Sequence, residues 1–255
     1  MVVFGSVPLW LDVVAYAYIL SAVACSLLIV YDIVVRGHRQ TMSIMEYVWP
    51  ITSLYLNLFG LWAYWKMGRP DSMAHSHMSM KGMQGMQGME TEPVQTRPMH
   101  HRQKRFWESV FVSATHCGAG CEIGDFVGEW LVFLLASSVA LAGSLLYTEY
   151  AVDFVFAYAI GILFQYIPIR QANTEMTRTE AWKDAIKAES LSIIAFEVGL
   201  FGWMAFFSLG LFASGVIDPT MPVYWLMMQI GMILGHFTSY PANWFLVKWG
   251  VKAGM

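Results

Sequence analysis

Six apolar runs divide the chain, at about 9–35, 43–65, 121–146, 151–170, 190–212 and 222–247. Each is rich in Leu, Ile, Val, Phe, Trp and Ala, and each is near the ~20 residues a helix needs to cross a bilayer. The pattern predicts an all-α, polytopic membrane helical bundle of about six transmembrane helices. Trp10, Trp49, Trp65, Trp107, Trp225 and Trp249 fall near run ends, where amphipathic rings suit the membrane–water boundary. Pro50 and Pro241 sit inside helical runs, which a bundle tolerates when neighbouring helices satisfy the freed carbonyls. Phe106–Thr115 is too short to span and predicts an interfacial or re-entrant helix. The polar stretch 171–189 predicts a solvated helix leading into the fifth run.

Composition sharpens this picture. Hydrophobic residues make up 57% of the chain and charged residues 13%, against about 25% charged in soluble domains. Net charge is −3 and the basic residues are not massed on one helix, which argues against a nucleic-acid partner. Three cysteines are too few for a disulfide framework. The N-terminus lacks the basic segment of a secretory signal, so the first run reads as a retained span. With six crossings, all of the 15 basic residues except Arg36 and Arg39 fall on one side. The positive-inside rule then places both termini, and the loop between runs two and three, in the cytoplasm of a bacterial inner membrane.

That loop separates two units. Residues 1–66 hold two N-terminal transmembrane helices, 67–105 a flexible Met/His-rich loop, and 106–255 a four-helix transmembrane domain. Residues 73–101 contain seven methionines and four histidines. Thioether and imidazole are neutral donors suited to soft metals, above all Cu(I). Met73, His75, His77, Met78, Met80, Met83, Met86 and Met89 are the candidate capture ligands. The Gly-Met-Gln repeat at 82–89 opposes helix formation.

The second chemical signal is His116-Cys117-Gly118-Ala119-Gly120-Cys121, at the start of the third run. Its Cys-x₃-Cys spacing differs from the Cys-x₂-Cys of thioredoxin-like and many zinc sites. The two glycines would allow a tight turn that brings His116, Cys117 and Cys121 to one ion. Cys117, Cys121, Asp125 and Glu129 then recur every four residues, a drifting stripe on a helix. Glu197, Gln165 and His236 lie within other runs. A carboxylate at the membrane centre costs ~2.5–3.5 kcal/mol on insertion scales, so Glu129, Glu197 and His236 are expected to meet. Met228, Met232 and His236 form a second four-residue ladder in the last run; its methionines suit packing more readily than ligation. Asp153, Glu149, Asp218 and Arg36 read as ordinary interfacial charges.

The strings SATHCGAGCEIGDFVGEWLVF at 113–133 and PVYWLMMQIGMILGHFTSYPANW at 222–244 resemble a bacterial membrane family known as domain of unknown function 4396, as do QYIPI at 165–169 and ESLSIIAFEVGLFGWM at 189–204. The resemblance covers about 107–250 and implies an integral membrane domain. It implies no particular reaction.

The residues together predict an integral membrane protein that binds, and transports or hands over, a soft transition metal, copper first. The metal ligands would be the loop donors with His116, Cys117, Cys121, Met228, Met232 and His236. Asp125, Glu129, Glu197 and Gln165 would form an intramembrane polar relay. The alternatives are a membrane redox or proton-relay protein, and a structural or assembly subunit of a membrane complex. A copper ion is the expected cofactor; haem has no attachment motif. The expected partners are the lipid bilayer, the metal ion, and a copper chaperone or cuproenzyme. An oligomer is allowed, and no enzymatic residue stands out.

Overall fold

A computed structural model describes residues 7–70, 104–135, 145–212 and 217–254. The Met/His segment, and with it Met73, His75, His77, Met78, Met80, Met83, Met86 and Met89, lies outside the described residues. The described chain is all-helical: α1 (Leu9–Val34), α2 (Met45–Ala63), α3 (Phe106–Leu135), α4 (Leu145–Ala172), α5 (Arg178–Phe206) and α6 (Pro222–Lys248). Five-residue π-helical turns extend α2 (Tyr64–Gly68) and α5 (Phe207–Leu211). Three stretches, Leu9–Val34, Tyr147–Ala172 and Arg178–Leu211, are long and apolar enough to cross a membrane on length and composition. The protein is a polytopic membrane helical bundle whose exposed apolar faces suit lipid.

α3 is the central helix. It packs against α2, α4, α5 and α6, and every residue from Val110 to Glu122 is buried. Glycines allow this closeness. Gly120, Gly124 and Gly128 recur every four residues and face α4, at Gly161, Ala157 and Asp153. This antiparallel register is the small-xxx-small packing that lets membrane helices approach to backbone contact. A Cβ on Gly120 would lie 2.8 Å from the Gly161 Cα, and one on Gly124 would overlap the Ala157 backbone. α5 and α6 approach in the same way, a Cβ on Gly199 coming within 2.8 Å of the Gly235 backbone.

Two expectations change. Phe106–Thr115 is not a separate interfacial piece: it is the first third of the continuous α3, enclosed by α2 and α6 through Thr52 Oγ1 to the Thr115 carbonyl (3.3 Å) and Tyr240 Oη to the Trp107 carbonyl (3.2 Å). The second run does not cross. α2 breaks at Asn57, which has a left-handed φ of 52° and a ψ of −129°, and the chain doubles back. Gly60 packs on Ser53 and Gly68 on the Trp49 indole, and the Trp49 and Tyr64 rings meet 5.8 Å apart. Each arm is about 11–12 residues, ~17 Å by helical rise, or roughly half the hydrocarbon core. Non-helical backbone at that depth must be buried in protein. The Asn57 amide supplies this by donating to the Tyr18 carbonyl (3.1 Å) and Ser21 Oγ (2.7 Å), while Tyr18 Oη donates to the Tyr55 carbonyl (2.6 Å).

The re-entrant hairpin alters which ends lie together. Its base closes on the end of α1, where Arg69 forks onto both Asp32 oxygens at 3.0 Å and Tyr64 Oη donates to Asp32 at 2.8 Å. Gln171, at the end of α4, donates to Ser43 Oγ at 2.8 Å, and Lys252, after α6, reaches Ser113 near the start of α3. Arg36 and Arg39 therefore share an end with every other described Lys and Arg, instead of lying opposite them. The start of α1 is at the other end, away from the C-terminus.

The α3–α4 contact sets a test. Gly124→Ala forces two backbones apart, a cost of about 1–3 kcal/mol, and should lower the thermal midpoint in detergent. Gly202→Ala, where a Cβ meets nothing within 4 Å, should leave it level or slightly higher. Equal midpoints would contradict the packing account.

Candidate functional site

Because α3 is enclosed, its polar side chains face other helices, and they line up along its length. From His116 to Glu129 the helix rises roughly 20 Å, two-thirds of a ~30 Å hydrocarbon core. Nearest the basic end is a charged group of fully buried side chains. Lys252 Nζ lies 2.6 Å from Glu189 Oε1, and His116 Nδ1 lies 3.6 Å from the same oxygen. Lys252 also donates to Asn243 Oδ1 (2.9 Å) and to the Ser113 carbonyl (3.3 Å), and Asn243 Nδ2 donates to Ser192 Oγ at 2.6 Å. The lysine gets there because the chain turns at Gly250, with φ +70°, after α6 and folds the tail back over α3. Gln165, 2% exposed, lies at the level of His116 by the α3–α4 register.

One turn deeper, the hairpin tip delivers Tyr55. Its hydroxyl fits against Gly118, where a Cβ would collide with it, and lies 3.2 Å from His236 Nδ1. Phe111 and Phe196 flank this pair, Phe111 with its ring 5.0 Å from that of His236. Cys117, Cys121 and Glu122 are neighbours of Tyr55.

Below this level the column is acidic. Cys121 adjoins Cys117 and Glu197. Asp125 lies within electrostatic reach of Glu197, Asp153, Glu129 and Glu122. Glu129 adjoins Tyr224, Glu149 and Asp153. Asp153 Oδ1 occupies the space that a side chain on Gly128 would fill. Both oxygens of Asp125 are buried without a hydrogen-bond partner among the described residues, and the carboxyl group of Glu197 is buried with the Cys121 thiol beside it. Among the described residues, the neighbouring charges that weigh most on Asp125 and Asp153 are other acids.

Several sequence-derived residues are therefore together and others are not. Asp125, Glu129 and Glu197 share the acidic column. His236 stands apart, on Tyr55. The glycines of the His-Cys motif do not make a turn: α3 stays helical, and Gly118 and Gly120 receive Tyr55 and Gly161. Adjacent residues on a helix point about 100° apart, so His116 faces Glu189 while Cys117 and Cys121 face the column. Among the described residues no three His, Cys, Asp or Glu side chains are grouped so as to hold a metal ion. Met228 and Met232 are buried in the wall of an apolar cavity. Asp153 is 1% exposed and belongs to the column, not to the interface. Tyr55, Glu122, Glu189, Asn243 and Lys252 did not stand out in the sequence. Lys252 lies past the last apolar run, and the four-residue spacing of Gly120, Gly124 and Gly128 is the sequence signal for close approach of another helix to α3.

The described residues define a helical membrane bundle whose central helix carries a column of buried ionisable side chains. Residues 106–252 match the model of the family described as domain of unknown function (DUF4396), and the chain belongs to that family. No curated protein matches the chain, and no solved structure does.

The charged group at the basic end yields a prediction. Lys252→Met strands a buried Glu189, which should destabilise the protein by about 3–5 kcal/mol; Lys252→Met with Glu189→Gln should recover most of the loss. Unfolding in detergent reads both, and a Lys252→Met protein as stable as wild type would contradict the pairing.

Proposed function

We propose that this protein passes cations through the membrane along the column of α3, with protons as the carried charge. The observation that carries the reading is the buried carboxyl group of Asp125, which has no hydrogen-bond partner among the described residues, beside that of Glu197, whose neighbouring donor is the Cys121 thiol. Neighbouring carboxylates in a desolvated site cannot all be charged. Without a basic partner they must hold protons or share a bound cation. Acids contributed by α3, α4 and α5, spaced about one turn apart, form a series of such sites. Buried ionisable residues inside membrane bundles mark ion and proton paths as a rule. The Tyr55–His236 pair and the Glu189–Lys252–His116 group continue the series towards the basic end.

The second reading makes a soft metal, copper first, the cargo coupled to those protons. It is favoured by Cys117 and Cys121, one turn apart beside Glu197, and by the soft donors in the sequence between Pro70 and Lys104, two described residues at the same end of the bundle as His116. A thiolate pair with a carboxylate supplies soft and charged donors together. In either case the gathering of described Lys and Arg at one end supports that end being cytoplasmic. The C-terminus and the Met/His segment would then be inside and the N-terminus outside.

The test uses the full chain in liposomes with an internal pH dye and an imposed potential. Proton flux should exceed that of empty liposomes and fall to background in Asp125→Asn and Glu197→Gln. Added Cu(I) should raise the flux, and Cys117→Ser with Cys121→Ser should remove only that increment. Equal flux in wild type and both acid variants would overturn the proton reading. An increment that survives both serine changes would overturn the metal reading.

A further inference from the structure

Beside the column, α3 borders a half-open space of about 300 Å³ that it shares with α1, α2 and α6. Its walls are apolar and aromatic. Trp130 and Trp225 stack nearly parallel, 6.1 Å apart at 24°, and Phe126 leans on Trp225 at 5.2 Å. Ala22 of α1 forms the opposite wall and is fully buried. Two polar side chains, Glu122 and Gln229, line the same space. Glu122 Oε2 and Gln229 Oε1 are both buried and have no hydrogen-bond partner.

An unpartnered buried oxygen is costly, and two at one cavity call for a ligand that satisfies them. Apolar pockets with a few convergent polar groups are the usual form of a small-molecule site. The volume suits one substituted ring, and the stacked indoles favour a planar one. The polar groups narrow the chemistry further. A side-chain amide oxygen needs a donor, and a carboxyl group offers an acceptor and, when protonated, a donor. A ring hydroxyl answers both, since it donates and accepts. Phe126 and Val23, on the cavity wall, are 51% and 42% exposed, so the space borders the surface that the bundle offers to lipid. A ligand would enter from the bilayer.

We propose that this cavity binds a lipophilic ring compound carrying free hydroxyls, of the phenol or quinol class, with its hydroxyls on Glu122 and Gln229 and its ring against Trp225. Glu122 is also a neighbour of Asp125 in the column, but the proposal does not depend on the cation reading, and binding alone is claimed.

Binding of duroquinol to the full chain in detergent, followed by tryptophan fluorescence, tests the proposal against its dimethyl ether, which keeps the ring and loses both O–H donors. Duroquinol should bind at least about tenfold more tightly than the ether, as expected for lost hydrogen bonds in a buried site. Glu122→Met and Gln229→Met should each weaken duroquinol binding about fivefold to tenfold while leaving the ether unchanged. Ala22→Phe, which fills the cavity without touching the polar groups, should abolish binding of both. Equal affinity for quinol and ether, unchanged affinity in both methionine variants, or binding that survives Ala22→Phe would overturn the proposal, as would no binding to the wild type.

Discussion

Desolvation of a single helix governs this structure. α3 is buried on every side from Val110 to Glu122, so its polar side chains must find partners in protein or keep their protons. Where basic partners exist, at Glu189 with Lys252 and His116, the charges are matched. Deeper in, at Asp125, Glu129, Asp153 and Glu197, the neighbours are chiefly other acids. A folded bundle with that arrangement is stable only if something positive is available, and the proton is the cheapest candidate. The cation reading rests on this asymmetry along one helix.

The enclosure has two structural causes. Gly120, Gly124 and Gly128 let α4 come so close that Asp153 enters the column from the neighbouring helix. The hairpin of α2 fills the remaining side and carries Tyr55 to half depth, between Gly118 and His236. A straight second helix would have put Tyr55 elsewhere and left Arg36 and Arg39 at the opposite end. The break at Asn57 is held by Tyr18 and Ser21 of α1, so the N-terminal helices brace the family domain from outside its matched residues 106–252.

Helical class, membrane character and family were legible in the sequence because apolar runs and long strings such as SATHCGAGCEIGDFVGEW carry them directly. The Asp125–Glu129 stripe was legible too, since both acids are one turn apart on one helix. The hairpin was not: its two arms together are as long as one span, and a single asparagine inside an apolar run gives no periodic signal. Asp153 and Lys252 were hidden because each sits near an apparent run end, where charges usually face water. The His-Cys motif misled in a specific way. Its glycines suggested a turn, but in a crowded membrane helix glycine serves close approach, and the helix runs straight through.

The central claim is that the acids of the column hold protons in the resting protein. Infrared spectroscopy of the full chain in lipid at neutral pH measures this directly, because protonated carboxyls and carboxylates absorb at different frequencies. The account predicts a carbonyl band of buried, protonated carboxyls that shrinks in Asp125→Asn and again in Glu197→Gln. A spectrum with carboxylate bands alone, unchanged by either substitution, would contradict it.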